Sequence, residues 1–116
     1  MNKNKQIHSP QGPLKGIKVL NIGTAIAGPW AGTLLGYLGA DVIKVERPSG
    51  EYLRLLFPRQ DGIATAYTAT NLNQRSAEID NKKEEGMKAM QQLALQADIL
   101  IENFRPGVAD RIGLGY

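Results

Sequence analysis

Cysteine is absent from the 116 residues, which excludes disulfide scaffolds and thiolate metal sites. Histidine is nearly absent: His8 is the single one and stands in a polar stretch, so a Ser-His-Asp triad or an imidazole metal site built on it is not expected. Aromatic residues reach only 6%, and the lysines and arginines are scattered rather than clustered. Nucleic-acid surfaces need the opposite pattern, so no nucleic-acid partner is expected. Apolar runs stay far short of the ~20 residues that span a bilayer. Met1–Gln11 also lacks the apolar stretch of a secretory signal. These absences together suggest a cytoplasmic chain without a membrane partner.

The formal charge is +3, a mild basic excess that suits an anionic small ligand better than a polyanion. Residues 1–11 are almost free of apolar side chains and read as a flexible tail, and Gly12-Pro13 opens a domain over 12–116. Ile17–Ile22 is a short β-branched run, hence a strand. A small-residue loop, Gly23–Gly28, leads to Pro29, a residue suited to the first turn of a helix. Trp30, Leu34, Leu35 and Leu38 then recur at helical spacing until Gly39 stops the helix. Gly32 and Gly36 thin one side of it for close packing. Asp41–Glu46 is a second strand, completing a βαβ unit.

A loop-rich stretch follows to Gly62, then a short helix over 63–70 and a strand over 76–80. The spacing of Met87, Met90, Leu93 and Ala94 predicts an amphipathic helix over 83–97. Asp98–Phe104 reads as a further buried strand, and 106–112 as a helical turn. The order predicts an α/β fold: a Rossmann-like, mostly parallel sheet flanked by helices.

In such sheets ligands gather at the carboxyl ends of the strands. The loops Gly23–Gly28, Arg47–Arg54 and Asn103–Arg111 occupy those positions. Arg47, Arg54, Arg105 and Arg111 are candidate phosphate partners, because a guanidinium matches phosphate in a bidentate way. The first loop lacks the Lys-Ser/Thr of a P-loop and the Gly-x-Gly-x-x-Gly of a dinucleotide site. Glu46, ending the second strand, stands where a dinucleotide fold carries its ribose-binding acid. The pair Glu78 and Asp80 reads as solvated rather than catalytic. Glu84 and Glu85 complement the positive end of a helix.

Several ordered blocks resemble the start of the class III CoA-transferases, among them formyl-CoA and carnitine CoA-transferases, with α-methylacyl-CoA racemase as a relative. They are Pro13–Leu20, Ala27-Gly28-Pro29, Leu38–Glu46, Gly50-Glu51-x-x-Arg54, Asn73-Gln74-Arg75-Ser76, and Asp98–Gly107 with Arg111-x-Gly113. The resemblance covers residues 12–116. It implies that this region forms part of a domain binding the nucleotide half of coenzyme A, with contacts from Ala25, Ile26, Ala27, Arg47, Leu72, Asn73, Gln74, Arg75, Asn103, Phe104 and Arg111.

By the same resemblance, acyl-CoA and a carboxylic acid are substrates, no cofactor or metal is held permanently, and the nucleophilic Asp lies beyond Tyr116. The family dimer is interlocked, so this piece is expected to be inactive alone, to expose apolar faces and to need a downstream polypeptide. A non-catalytic CoA- or nucleotide-binding module, or a racemase or dehydratase relative acting on acyl-CoA, are the other readings left open. Gln74 stands where the family commonly has a basic residue. Ile26 replaces a polar residue of the formyl-CoA members and points to a different acyl group.

Overall fold

A computed structural model describes residues 11–116. The expected tail and His8 lie outside the described residues, apart from Gln11. The chain runs β1 (Lys18–Asn21), α1 (Ala27–Tyr37), β2 (Asp41–Glu46), a 3-10 turn (Tyr52–Leu55), β3 (Arg59–Gln60), β4 (Ile63–Ala64) and α2 (Thr65–Thr70), then β5 (Arg75–Glu78), α3 (Glu84–Gln96), β6 (Ile99–Ile101) and α4 (Val108–Arg111). β5, β2, β1 and β6 form one sheet in that order, and all three pairings are parallel. β3 and β4 make a separate two-stranded antiparallel ribbon. The α/β fold expected from the element order is therefore present.

Alternation along the strands divides the core in two. Val19 and Val42 face α1 with Ala40, joined by Leu35 and Ile101. Leu20, Ile22 and Val45 face the other way, onto Met90 of α3 and Leu114. Leu93 and Ala94 of α3 pack on this second cluster, as the helical spacing predicts. Each fully enclosed aliphatic side chain contributes about 1.5–3 kcal/mol relative to leaving it in water.

The glycine side of α1 is its packing side, as expected; of the apolar residues at helical spacing Leu35 joins the core, whereas Trp30, Leu34 and Leu38 are all nearly half exposed. The buried side consists of Gly28, Pro29, Gly32 and Thr33. A Cβ on Gly32 would stand 2.5 Å from Asn21 Nδ2 and 2.6 Å from Gln74 Oε1, and one on Gly36 would stand 2.6 Å from the Asn73 carbonyl oxygen. The small residues let the helix backbone settle onto the polar groups of β1 and of the turn before β5, which turns the large apolar side chains outward. A correction concerns β6, expected as a buried strand over 98–104. It is a sheet edge, so Ile99 and Leu100 remain partly exposed rather than buried.

Candidate functional site

The parallel register aligns the carboxyl ends of β1, β2 and β5 along one rim, since Asn21 pairs Lys44 and Glu46 pairs Glu78. A hollow of about 550 Å³ opens beside that rim. Ile22 and Val45 form its apolar floor with Phe104, while Thr24, Glu46–Ser49, Glu51, Tyr52 and Asp80–Lys82 form its walls. Its size falls in the range of small-ligand sites, and its wall carries the cations Arg47 and Lys82 beside the acids Glu46, Glu51 and Asp80. Arg47 donates from Nε to the Gly50 carbonyl at 3.1 Å, which fixes the guanidinium at the edge of the loop. Neither Arg47 nor Lys82 has an ion-pair partner among the described residues.

The loop after β1 is tied down at Ile22, Gly23 and Thr24. Asn21 Oδ1 accepts from the Gly23 amide at 3.0 Å. Asn103 makes a two-way clamp: its Oδ1 accepts from the Thr24 amide at 2.8 Å, and its Nδ2 donates to the Thr24 carbonyl at 2.9 Å. Ala25 is held at φ 58°, a left-handed conformation costly for a residue with a Cβ. Such strain persists only where the surroundings over-determine the backbone.

Behind the rim, Glu46 is the hub of a buried network. Its carboxylate accepts from Arg54 Nε and Nη2, both at 2.7 Å, from the Tyr67 hydroxyl, and from the Glu51 amide at 3.2 Å. Burial opposes the charged form of Glu46. The bonds from Arg54, Tyr67 and the Glu51 amide outweigh it and hold the carboxyl below its ordinary value of 4.5. The Tyr67 hydroxyl is pushed up, by burial first and then by the Glu46 carboxylate, so it stays protonated and donates. The Arg54 guanidinium lies over the Tyr67 ring, 3.8 Å from its centroid. Thus Arg54 serves Glu46 rather than a ligand phosphate, and Glu46 has no free oxygen for a ribose hydroxyl.

Of the other sequence-predicted residues, Arg47 and Phe104 line the hollow. Ala25, Ile26 and Ala27 stand on the same rim, at the start of α1, with Ile26 exposed. Asn103 acts on Thr24, not on open space. Arg105 and Arg111 are exposed, beyond β6, outside the hollow's lining. The four residues Leu72, Asn73, Gln74 and Arg75 are not brought to the hollow. They precede and open β5, at the opposite end of the sheet. Asn73 backs Gly36 near the end of α1. Both ends of the Gln74 amide are spent beneath α1: Nε2 donates to the Pro29 carbonyl at 2.9 Å and to Thr33 Oγ1, and Oε1 accepts from Asn21 at 2.8 Å. Arg75 forms a bidentate pair with Asp41, the first residue of β2.

Sequence reasoning missed Tyr52, Asn81 and Lys82, and took Asp80 only as a solvated acid. The signal was available: Asp80–Lys82 follow β5 directly, and residues after a parallel strand belong on the ligand rim. A second hollow, of about 190 Å³, lies between the sheet and the end of α3. Its charged groups include Arg75 and Asp41, which neutralise one another.

A parallel α/β sheet with a hollow beyond its strand ends has the opening where ligands gather in open α/β folds. The family model described as CoA-transferase family III matches residues 14–116. The chain belongs to CoA-transferase family III. It is 46% identical over 106 residues to the formyl-CoA:oxalate CoA-transferase of Escherichia coli O6:H1, covering 90% of this chain and 26% of that protein. To human succinyl-CoA:glutarate CoA-transferase it is 42% identical over 106 residues, covering 90% and 24%. Among solved structures, a CAIB/BAIF family protein from Brucella suis superposes with a TM-score of 0.85 at 42% identity, covering 90% of this chain and 29% of that one. The chain thus spans about a quarter of the length of the curated relatives it matches. No helix among the described residues is long and apolar enough to cross a membrane.

Proposed function

We propose that this chain supplies the coenzyme A-binding part of a CoA-transferase, which passes coenzyme A from an acyl-CoA to a carboxylic acid. The observation that supports the reading most is the hollow itself: among the described residues Arg47 and Lys82 have no ion-pair partner on the wall of this apolar-floored site, whereas its acids Glu51, Glu46 and Asp80 are paired with Lys44, Arg54 and Lys83. Coenzyme A carries a 3′-phosphate, a diphosphate and a flat adenine. Two cations suit the phosphates, and Phe104 with Ile22 and Val45 suits the ring. On this reading Arg105 and Arg111, exposed beyond β6 and outside the hollow's lining, and the start of α1 serve the remaining phosphate oxygens. The site-residue set accordingly gains Asp80–Lys82 in place of Leu72–Arg75.

The reaction's nucleophile is not supplied by the hollow. Glu46 is committed to Arg54 and Tyr67, Glu51 to Lys44, and Asp80 Oδ1 to the Lys82 amide. A carboxylate that attacks a thioester has to be free to form an anhydride. On this reading the 116 residues bind coenzyme A without turning over succinyl-CoA and an acceptor acid. Turnover by the purified chain would refute the assignment of the nucleophile elsewhere.

Calorimetry with coenzyme A tests the binding claim. Arg47→Ala and Lys82→Ala should each weaken affinity by about 1.5–3 kcal/mol, the worth of a hydrogen bond to a charged group. Dephospho-coenzyme A, lacking the 3′-phosphate, should lose affinity for the parent and discriminate less between parent and one of the two variants. Equal affinity of parent and both variants would show that these cations are surface charge.

A further inference from the structure

We infer that Lys44 and Glu51 form a positioning pair that sets the spacing of the two loops flanking the hollow. Both side chains are almost fully enclosed, Lys44 at 2% and Glu51 at 3% exposure. The Lys44 ammonium donates to the Gly23 carbonyl, in the loop after β1, and to Glu51 Oε2 at 2.7 Å, in the loop after β2. One buried cation therefore ties the two loops together, while the Glu51 amide returns to Glu46.

The pair makes poor sense as a device for stability. Glu51 Oε1 is buried without a hydrogen-bond partner among the described residues. A half-satisfied buried ion pair is generally no better than a packed apolar pair. What an apolar pair lacks is direction. It does not hold the Gly23 carbonyl in place. The clamped Gly23-Thr24 backbone, the strained Ala25 beyond it and the Arg47–Gly50 turn would then lose a common anchor. The inference rests on the proposed coenzyme A reading for its functional half and on geometry alone for its structural half.

The test replaces the pair with Lys44→Met and Glu51→Leu in the same chain. Thermal midpoint, amide exchange and coenzyme A affinity are then measured. The thermal midpoint should match or exceed the parent's, because neither charge is left alone in the interior. Exchange of the Gly23, Thr24, Gly50 and Glu51 amides should quicken by about tenfold or more, while the amides of α3 keep their protection. Coenzyme A affinity should fall by about tenfold. Loop amides as protected as the parent's in the folded double variant would overturn the inference, whatever happens to affinity. A parent that binds no coenzyme A would instead refute the proposed function and leave the exchange result to decide this one. If the double variant does not fold, Glu51→Gln is measured for exchange: faster Gly50 and Glu51 amides support the pair, and unchanged ones sink it.

Discussion

Gly32→Val is expected to destabilise the chain by about 3 kcal/mol or more, combining overpacking with the loss of buried hydrogen bonds. The added Cβ would stand 2.5 Å from Asn21 Nδ2 and 2.6 Å from Gln74 Oε1, the two atoms that hydrogen-bond each other beneath α1. Neither neighbour can easily give way. Asn21 is fully buried and also holds the Gly23 amide, and Gln74 also holds the Pro29 carbonyl. Moving α1 outward would release that network and lift Thr33, whose hydroxyl donates to the Thr70 carbonyl at 2.8 Å. Urea unfolding checks this against Ala31→Val, at a neighbouring position of the helix that is only partly buried. A midpoint for Gly32→Val as high as that of the control would remove the close approach of α1 from the account.

Arg54→Ala should cost about 3 kcal/mol, the lower end of the range for stripping a partner from a buried charge, since Arg54 itself is 40% exposed. What remains is the Glu46 carboxylate at 6% exposure, with only Tyr67 and the Glu51 amide to satisfy it. The same pair predicts a pH dependence. The folded Glu46 carboxyl lies below its ordinary 4.5, so its stabilisation is fully present above that value and is lost as pH falls through the folded value. In Arg54→Ala the depression shrinks, so the difference in stability between parent and variant should be largest near neutrality and narrow in acid. Denaturant titrations at several pH values read this directly. A difference independent of pH would mean that Arg54 acts by packing on Tyr67 alone.

The sheet was legible because its strands carry dense β-branched runs between glycine-marked turns: Ile17–Ile22 and Asp41–Glu46 bracket β1 and coincide with β2. The inward stripe of α3 was legible from its helical spacing, and Met90, Leu93 and Ala94 do pack on the core. The close-packing side of α1 was legible from Gly32 and Gly36, but not that it would lie against polar atoms of β1 and the turn before β5 with Trp30 and Leu34 pointing outward. The length of β6 misled: Ile99–Ile101 is apolar enough for a central strand but lies at the edge.

At the site, Arg47 and Phe104 were legible from their places just after strands. Arg54 and Glu46 were not, because two residues eight apart satisfy each other only once the 3-10 turn brings the chain back. The segment Leu72–Arg75 was assigned to the ligand by resemblance of motif. Strand direction overrides that: the parallel pairing of β5 with β2 puts Arg75 beside Ile43 and sends Asp80–Lys82 to the rim. Residue type indicated which groups suit a phosphate, but the direction of β5 decided which of them stand at the rim.

The most direct measurement is a coenzyme A titration of the isotopically labelled chain, followed by amide chemical shifts. The account predicts that shifts concentrate at Thr24, Arg47, Ser49, Asp80–Lys82 and Phe104, with Leu72–Arg75 unmoved. Shifts centred on Leu72–Arg75 with the rim silent, or no shifts at all, would contradict it.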